Sequence, residues 1–365
     1  MLSGGSSMSN LTELGFYTLA GHTRSPRDVV HEVPAAEALG LGAGFLSERF
    51  NFKEAGTIAG AMGAVSSTLG LATAATNHNT RHPLLTASLA TSMHTLTGGR
   101  FALGLGRGIE LRSRAIGLSP VTSVQLEDFA GLMRRLWKGE AIFGHDGPAG
   151  SYPYLHQESY FDFDIPIVLV AIGPRTLELA GRIADGVVLH TYFSDHALST
   201  ALDAIARGAK SVGRDPASIR VWSVLATIGD HLPADARLKK TVGRLASYLQ
   251  GYGDVLVAIN DWDPAVLTRF RADPVVGSFL GAIDDRASTD QLEHIATLLP
   301  SEWLSAAATG SPAECAAEVA RQFGLGVSGV ILHGATPDEL APVVSAYRAV
   351  RPALPEYPAN PGWVA

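Results

Sequence analysis

A single cysteine, Cys315, occurs in 365 residues, which excludes an internal disulfide framework and a zinc site built from cysteines. Charge is also scarce. Only 17% of residues are Asp, Glu, Lys or Arg, against about 25% in an ordinary soluble chain. The formal net charge is −7, so no basic face is available for nucleic acid, and none is expected as a partner. The longest stretch without a charged residue, Ala55–Thr80, is broken by Gly, Ser, Thr, Asn and His and does not read as a bilayer span. Met1–Asn10 is rich in Ser and Gly and lacks the basic start and apolar stretch of a secretion signal. Residues 1–10 are therefore set aside as a flexible segment, and a cytoplasmic protein is expected. A G-x-S-x-G elbow of the hydrolase type is absent too.

What the chain has in surplus is glycine, 39 residues, together with 46% hydrophobic residues. An average chain has about 7% glycine. High apolar content with little charge excludes disorder and implies a large buried core.

Short apolar runs alternate with helical patterns throughout, the mark of repeated βα units around a parallel sheet. Strands are expected at 14–19, 43–47, 69–75, 101–105, 165–171, 187–190, 219–228 and 327–333, each followed by a helical stretch. Eight such units fit a (β/α)8 barrel (a TIM barrel) better than an open sheet. No change of composition marks a linker, so residues 11–365 read as one domain. Segments 139–164, after the fourth helix, and 234–299, in the seventh crossover, read as insertions. The proline-rich tail 351–365 is expected to wrap the surface.

A barrel keeps its chemistry on the loops where strands end. Those places hold Glu48 and Arg49, Thr76 to His82, Arg107 to Glu110, Gly173 to Thr176, His190 to Tyr192, and His333. Gly173-Pro174-Arg175-Thr176 follows a strand and opens a helix. Free backbone N–H groups and the helix dipole suit it to a phosphate; it also reads as an ordinary cap with a solvated arginine. Gly104-Leu105-Gly106-Arg107-Gly108 is a poor dinucleotide fingerprint, lacking the acidic residue at the usual distance, but it suits close approach to a flat ligand. His78, His82 and His94 have no carboxylate near them in sequence and sit around a proline, so no metal is expected. Cys315 reads as a packed thiol.

Several of these stretches together resemble the bacterial luciferase-like superfamily. Residues 83–108 (PLLTASLATSMHTLTGGRFALGLGRG) are similar to its helix, GGRF strand and glycine turn. Residues 172–190 (IGPRTLELAGRIADGVVLH) resemble the phosphate loop and ADG strand of its coenzyme F420-dependent branch, and Leu46–Phe50 (LSERF) its second strand end. The resemblance runs from about Leu14 to Val350. It implies a (β/α)8 barrel, usually a homodimer, that binds the 8-hydroxy-5-deazaflavin coenzyme F420. It also implies a non-prolyl cis peptide at the end of the third strand, by position Thr73–Ala74, forming a wall behind the ring. Carried over by position, Ile172, Gly173, Pro174, Arg175 and Thr176 would hold the cofactor phosphate. Thr73, Ala74 and Gly106 would back the ring, and Asn77 and Arg107 would line its polar edge.

The chain departs from the pattern at two places. Members that oxidise sugar phosphates carry a histidine where this chain has Arg49, and arginine cannot act as a proton acceptor near neutral pH. The same members place a glutamate directly after the third glycine of the fourth-strand turn, where this chain has Ile109, with Glu110 one residue on. Arg49 suits polarising a carbonyl or binding a carboxylate, so reduction of a small organic substrate is favoured. Glu48 and His190 are the candidate proton donors, and His190 is expected to be tuned to neutral pH. FMN, in a luciferase-like monooxygenase, is the alternative cofactor. A barrel that binds flavin or deazaflavin without turnover is the third reading.

Overall fold

The computed structural model describes residues 10–363; of the segment 1–10 set aside above, residues 1–9 lie outside these. Among the described residues the chain forms a closed parallel barrel. Its strands are β1 (Leu11–Tyr17), β2 (Leu41–Leu46), β3 (Gly70–Thr73) and β4 (Phe101–Gly106). They continue as β5 (Ile167–Val170), β6 (Gly186–Val188), β7 (Arg220–Gly229) and β8 (Gly329–His333). Each strand pairs in parallel with its neighbours in the chain, and β8 pairs with β1 to close the sheet. The (β/α)8 expectation holds. No helix among the described residues is long and apolar enough to cross a membrane.

Short polar side chains start the surrounding helices. Glu54 accepts the first N–H groups of α2 (Ala55–Val65), and His82 caps α3 (Pro83–Leu96). Thr122 and Gln125 close a capping box at α4 (Ser123–Trp137). Such caps satisfy backbone donors that have no partner within the helix. The barrel interior is filled by Phe45, Val168, Trp222 and Ile331 among small alanines, and a larger apolar layer lies between sheet and helices.

The expected insertion 139–164 contains an antiparallel hairpin, Ile142–Gly147 with Gly150–Leu155. The seventh crossover carries α7 (Arg244–Asn260), entered through a π-helical turn at Lys239–Gly243. A short strand, Ala308–Gly310, extends the end of β7 and was not expected from pattern. Three residues pair there, too few for a period to show.

The tail behaves differently from the surface wrap expected of it. Arg220, 1% exposed at the start of β7, donates to the carbonyl oxygens of Pro358 (3.0 Å), Asn360 (2.9 Å) and Trp363 (3.4 Å), and to Thr12 (2.7 Å). Trp222 Nε1 donates to Pro361 O at 2.8 Å, and Asn360 Nδ2 to Gly99 and Phe101 O. Residues 358–363 therefore plug the N-terminal end of the barrel. The opposite, C-terminal end is left for ligand.

Candidate active site

The C-terminal strand ends open into a cavity of about 490 Å³, a size that holds small ligands and cofactors. One wall forms just after β3. A cis peptide joins Ala74 to Ala75, one residue beyond the Thr73–Ala74 position implied by resemblance. Groups at the ends of β1 and β2 grip it. Ala74 N donates to Leu46 O at 2.6 Å, Glu48 N to Ala75 O at 3.3 Å, and the Tyr17 hydroxyl to Ala74 O at 3.3 Å. Gly106 lies against this wall, where a Cβ would come within 2.9 Å of the Ala75 Cβ. The surface there is backbone and methyl groups, as a flat ring requires.

Thr73 is placed elsewhere. Its hydroxyl donates to Gly104 O and accepts from Gly104 N, both at 2.8 Å, and it is fully buried between β3 and β4. It is a strut beneath the wall and does not line the cavity. Ala74, Asn77, Gly106 and Arg107 do line it. Asn77 Nδ2 donates to Gly106 O at 2.7 Å, and Arg107 Nε to Val121 O at 2.7 Å.

At another end of the cavity α5 (Pro174–Ile183) begins. Gly173 is its N-cap, and no side chain caps it, so the helix start keeps donors for a ligand. Ile172, Gly173 and Thr176 line the cavity. Pro174 and Arg175 stand exposed at its edge. Among the described residues, no hydrogen bond or ion pair is made by the Arg175 side chain.

Glu48 and Arg49 are consecutive but differ in their company. The Glu48 side chain, 5% exposed, is ion-paired with Arg81. It also accepts from the Thr76 hydroxyl (2.6 Å) and the backbone of Ala55 (3.1 Å). Arg81 reaches on to Glu54 as well. With its acceptor positions filled, this carboxylate is a fixed anchor of the cavity wall. The Arg49 guanidinium lines the cavity, and among the described residues it makes no hydrogen bond or ion pair.

His190 sits at the end of β6 with its ring between Tyr248 (4.7 Å) and Tyr252 (5.0 Å). Its Nδ1 lies 2.9 Å from Thr191 O, which selects the Nδ1–H tautomer and leaves Nε2 as acceptor. Burial, and to a lesser extent the Arg49 charge, push its pKa down to about 4. The expectation of a group tuned to neutral pH is thus corrected: at pH 7 the ring is neutral. Folding lowers this pKa below the usual 6.5, so the unfolded chain takes up the extra proton between about pH 6.5 and 4. The contribution of His190 is present above that window and is lost as pH falls through it. In NMR titration the His190 ring is expected to stay neutral at pH 5.5 and to protonate near pH 4; a midpoint above 6 would show that water reaches the ring.

The sequence reading passed over four residues here. Lys53, Arg244, Tyr248 and Tyr252 all line the cavity. The last three fall at i, i+4 and i+8 along α7, a spacing that places them on one helix face. That stripe was visible in the seventh crossover, but nothing local says that it turns toward the strand ends. The three histidines considered above have separate partners: His82 caps α3, His78 packs on Phe129 and His94 on Phe163.

Fold and cavity define a (β/α)8-barrel enzyme with a ligand site at the strand C-termini. The family described as luciferase-like monooxygenase matches residues 8–329, and the chain belongs to that family. It is 27% identical over 308 residues to a 5,10-methylenetetrahydromethanopterin reductase of Methanolobus tindarius, covering 83% of this chain and 89% of that protein. A coenzyme F420-dependent tetrahydromethanopterin reductase from Methanopyrus kandleri superposes with a TM-score of 0.75 at 19% identity, over 93% of this chain and 99% of that one. A type II Baeyer–Villiger monooxygenase from the CAM plasmid of Pseudomonas putida, solved with FMN, gives 0.60 at 17% identity, over 93% and 96%.

Proposed function

We propose that this protein is a coenzyme F420-dependent oxidoreductase that reduces a small organic substrate, working in the cytoplasm as a homodimer of single barrel domains. One observation carries the reading. A single cavity joins a wall of backbone and methyl groups, made by Ala74, Ala75 and Gly106, to a helix start without a side-chain cap at Gly173. A planar ring fits the first and a phosphate the second, and the residues present suit both.

When bound, F420 supplies hydride at C5 of its deazaflavin; the protein's part is to hold, orient and exclude. Gly173 and Thr176 would hold the phosphate, with Arg175 adding charge at the mouth. Asn77 and Arg107 would border the ring. Arg49 would bind the substrate through its guanidinium. His190, neutral with Nε2 free to accept, would orient a hydroxyl or bound water, and the Glu48–Arg81 pair would keep the wall in position. A second chain would cover Leu85 and Leu96, which α3 leaves more than half exposed.

Titration of the purified protein tests this. F420 is expected to bind with quenching of its fluorescence, and FMN to bind at least about tenfold more weakly. Arg175→Gln is expected to weaken F420 by about three- to tenfold, the loss of one exposed charge-assisted contact. Yellow FMN retained through purification would replace this reading with the flavin monooxygenase one.

A further inference from the structure

The inner end of the cavity, away from Gly173, gathers positive charge. Arg49, Lys53 and Arg244 all line it. The Lys53 ammonium is buried and donates to the carbonyl oxygens of Leu19 (2.9 Å) and Gly21 (3.2 Å). Arg244 reaches the same loop: a Cβ on Gly21 would lie 2.9 Å from its Nη2. Arg49 is tied to Lys53 through its backbone, Arg49 N donating to Lys53 O at 3.1 Å.

Among the described residues, none of the acidic groups nearby bonds to the Arg49 side chain. Asp284, 2.8 Å from Arg244, is shared with His22 and Ser247. Glu32 accepts from the Thr18 hydroxyl and the Leu19 N–H, and offers one negative charge opposite Lys53. Glu48 is taken by Arg81. Among the described residues, Arg49 is the one of the three cations whose side chain makes no hydrogen bond or ion pair, whereas Lys53 and Arg244 each have a protein partner. Burial keeps Tyr17, His190 and His333 at this end neutral near pH 7, and among the described residues His333 Nδ1 is buried with no hydrogen-bond partner. Lys53 is held near 8 by burial and by Arg49 and Arg244, which shows how closely the cations crowd.

A half-buried cation that lines a cavity without a side-chain partner is open to an anion. A planar guanidinium fork matches a carboxylate with two parallel hydrogen bonds. We infer that Arg49, flanked by Lys53 and Arg244, binds a carboxylate of the substrate, so that the compound reduced is an organic acid and not a neutral ketone. This rests on the oxidoreductase reading above and names its substrate class.

Thermal unfolding of the full-length protein without added cofactor tests it, with malonate, the neutral isostere malonamide, and inorganic phosphate at matched ionic strength. Malonate is expected to raise Tm at about millimolar concentration, by mass action on the folded state, and malonamide to leave it unchanged. Arg49→Gln, which among the described residues removes no side-chain hydrogen bond or ion pair, is expected to weaken malonate at least about tenfold. Arg49→Lys is expected to keep part of the effect, and Arg175→Gln at the far end all of it. Equal response to malonate and malonamide, or undiminished malonate binding by Arg49→Gln, overturns the assignment. So does a response to phosphate alone that Arg49→Gln abolishes, since the anion bound is then a phosphate. F420 affinity of Arg49→Gln, read by fluorescence quenching, is expected to match the unaltered chain. Absence of any malonate effect in the unaltered chain, with F420 still bound, overturns the carboxylate site alone, whereas failure of the unaltered chain to bind F420 overturns the functional reading alone.

Discussion

Gly104→Ala is expected to prevent stable folding, at a cost above about 4 kcal/mol, in the range that only severe core disruption reaches. The new methyl carbon would sit 1.5 Å from Thr73 O and 2.6 Å from Thr73 C. Both are backbone atoms of a barrel strand, so no side chain can rotate away. Relief would require β3 and β4 to part. That would break the two Thr73–Gly104 hydrogen bonds and displace the Ala74–Ala75 wall that follows at once. The demand comes from close approach and not from backbone conformation, because Gly104 does not adopt the left-handed φ that other glycines here do. Gly60→Ala provides the contrast. Gly60 is interior to α2 and has nothing within 4 Å of its Cβ position, so alanine there should stabilise by about 0.5–1 kcal/mol. Denaturant unfolding of both variants checks this. An unchanged midpoint for a soluble Gly104→Ala would show that the two strands separate freely.

Deletion of residues 356–365 is expected to cost about 5 kcal/mol or more, enough to exhaust the stability of a marginal protein. The deletion strips three of the four carbonyl oxygens from the Arg220 guanidinium, which lies buried and, among the described residues, has no carboxylate bonded to it. It also removes the Tyr357 ring stacked 4.7 Å from that guanidinium. Burial already lowers the Arg220 pKa to about 9, and without the tail Thr12 O and the Trp222 ring, 4.4 Å from the guanidinium, would be left to offset that burial. Arg220→Met in the truncated chain is expected to recover part of the loss, because an apolar side chain leaves no charge to solvate. If truncation leaves Tm within about 2 °C, roughly 1 kcal/mol or less for a chain of this size, the plug carries no stability.

Much of the barrel is readable locally. The strand positions, the caps and the turn at Gly173 follow from short-range pattern, and the strand-end rule brings Glu48, Arg49, His190 and His333 to one mouth before any coordinates are known. Resemblance adds the wall behind a ring, misplaced by one residue. What could not be read is which neighbour each group acquires. Glu48 looks like a free carboxylate until Arg81, thirty-three residues on, is found to fill it. His190 looks tuned to neutral pH until Tyr248 and Tyr252 arrive from α7 and dry it.

The same division holds for the scarce charge and abundant glycine of this chain. Composition and periodicity suffice for a large parallel barrel, because every βα unit must bury its own apolar face and the signal repeats eight times. Charge state, close approach and the end of the barrel that the tail seals depend on residues tens to hundreds of positions apart. Their energies are set by local dielectric and by distances of a few ångströms, and neither exists until the chain has closed on itself.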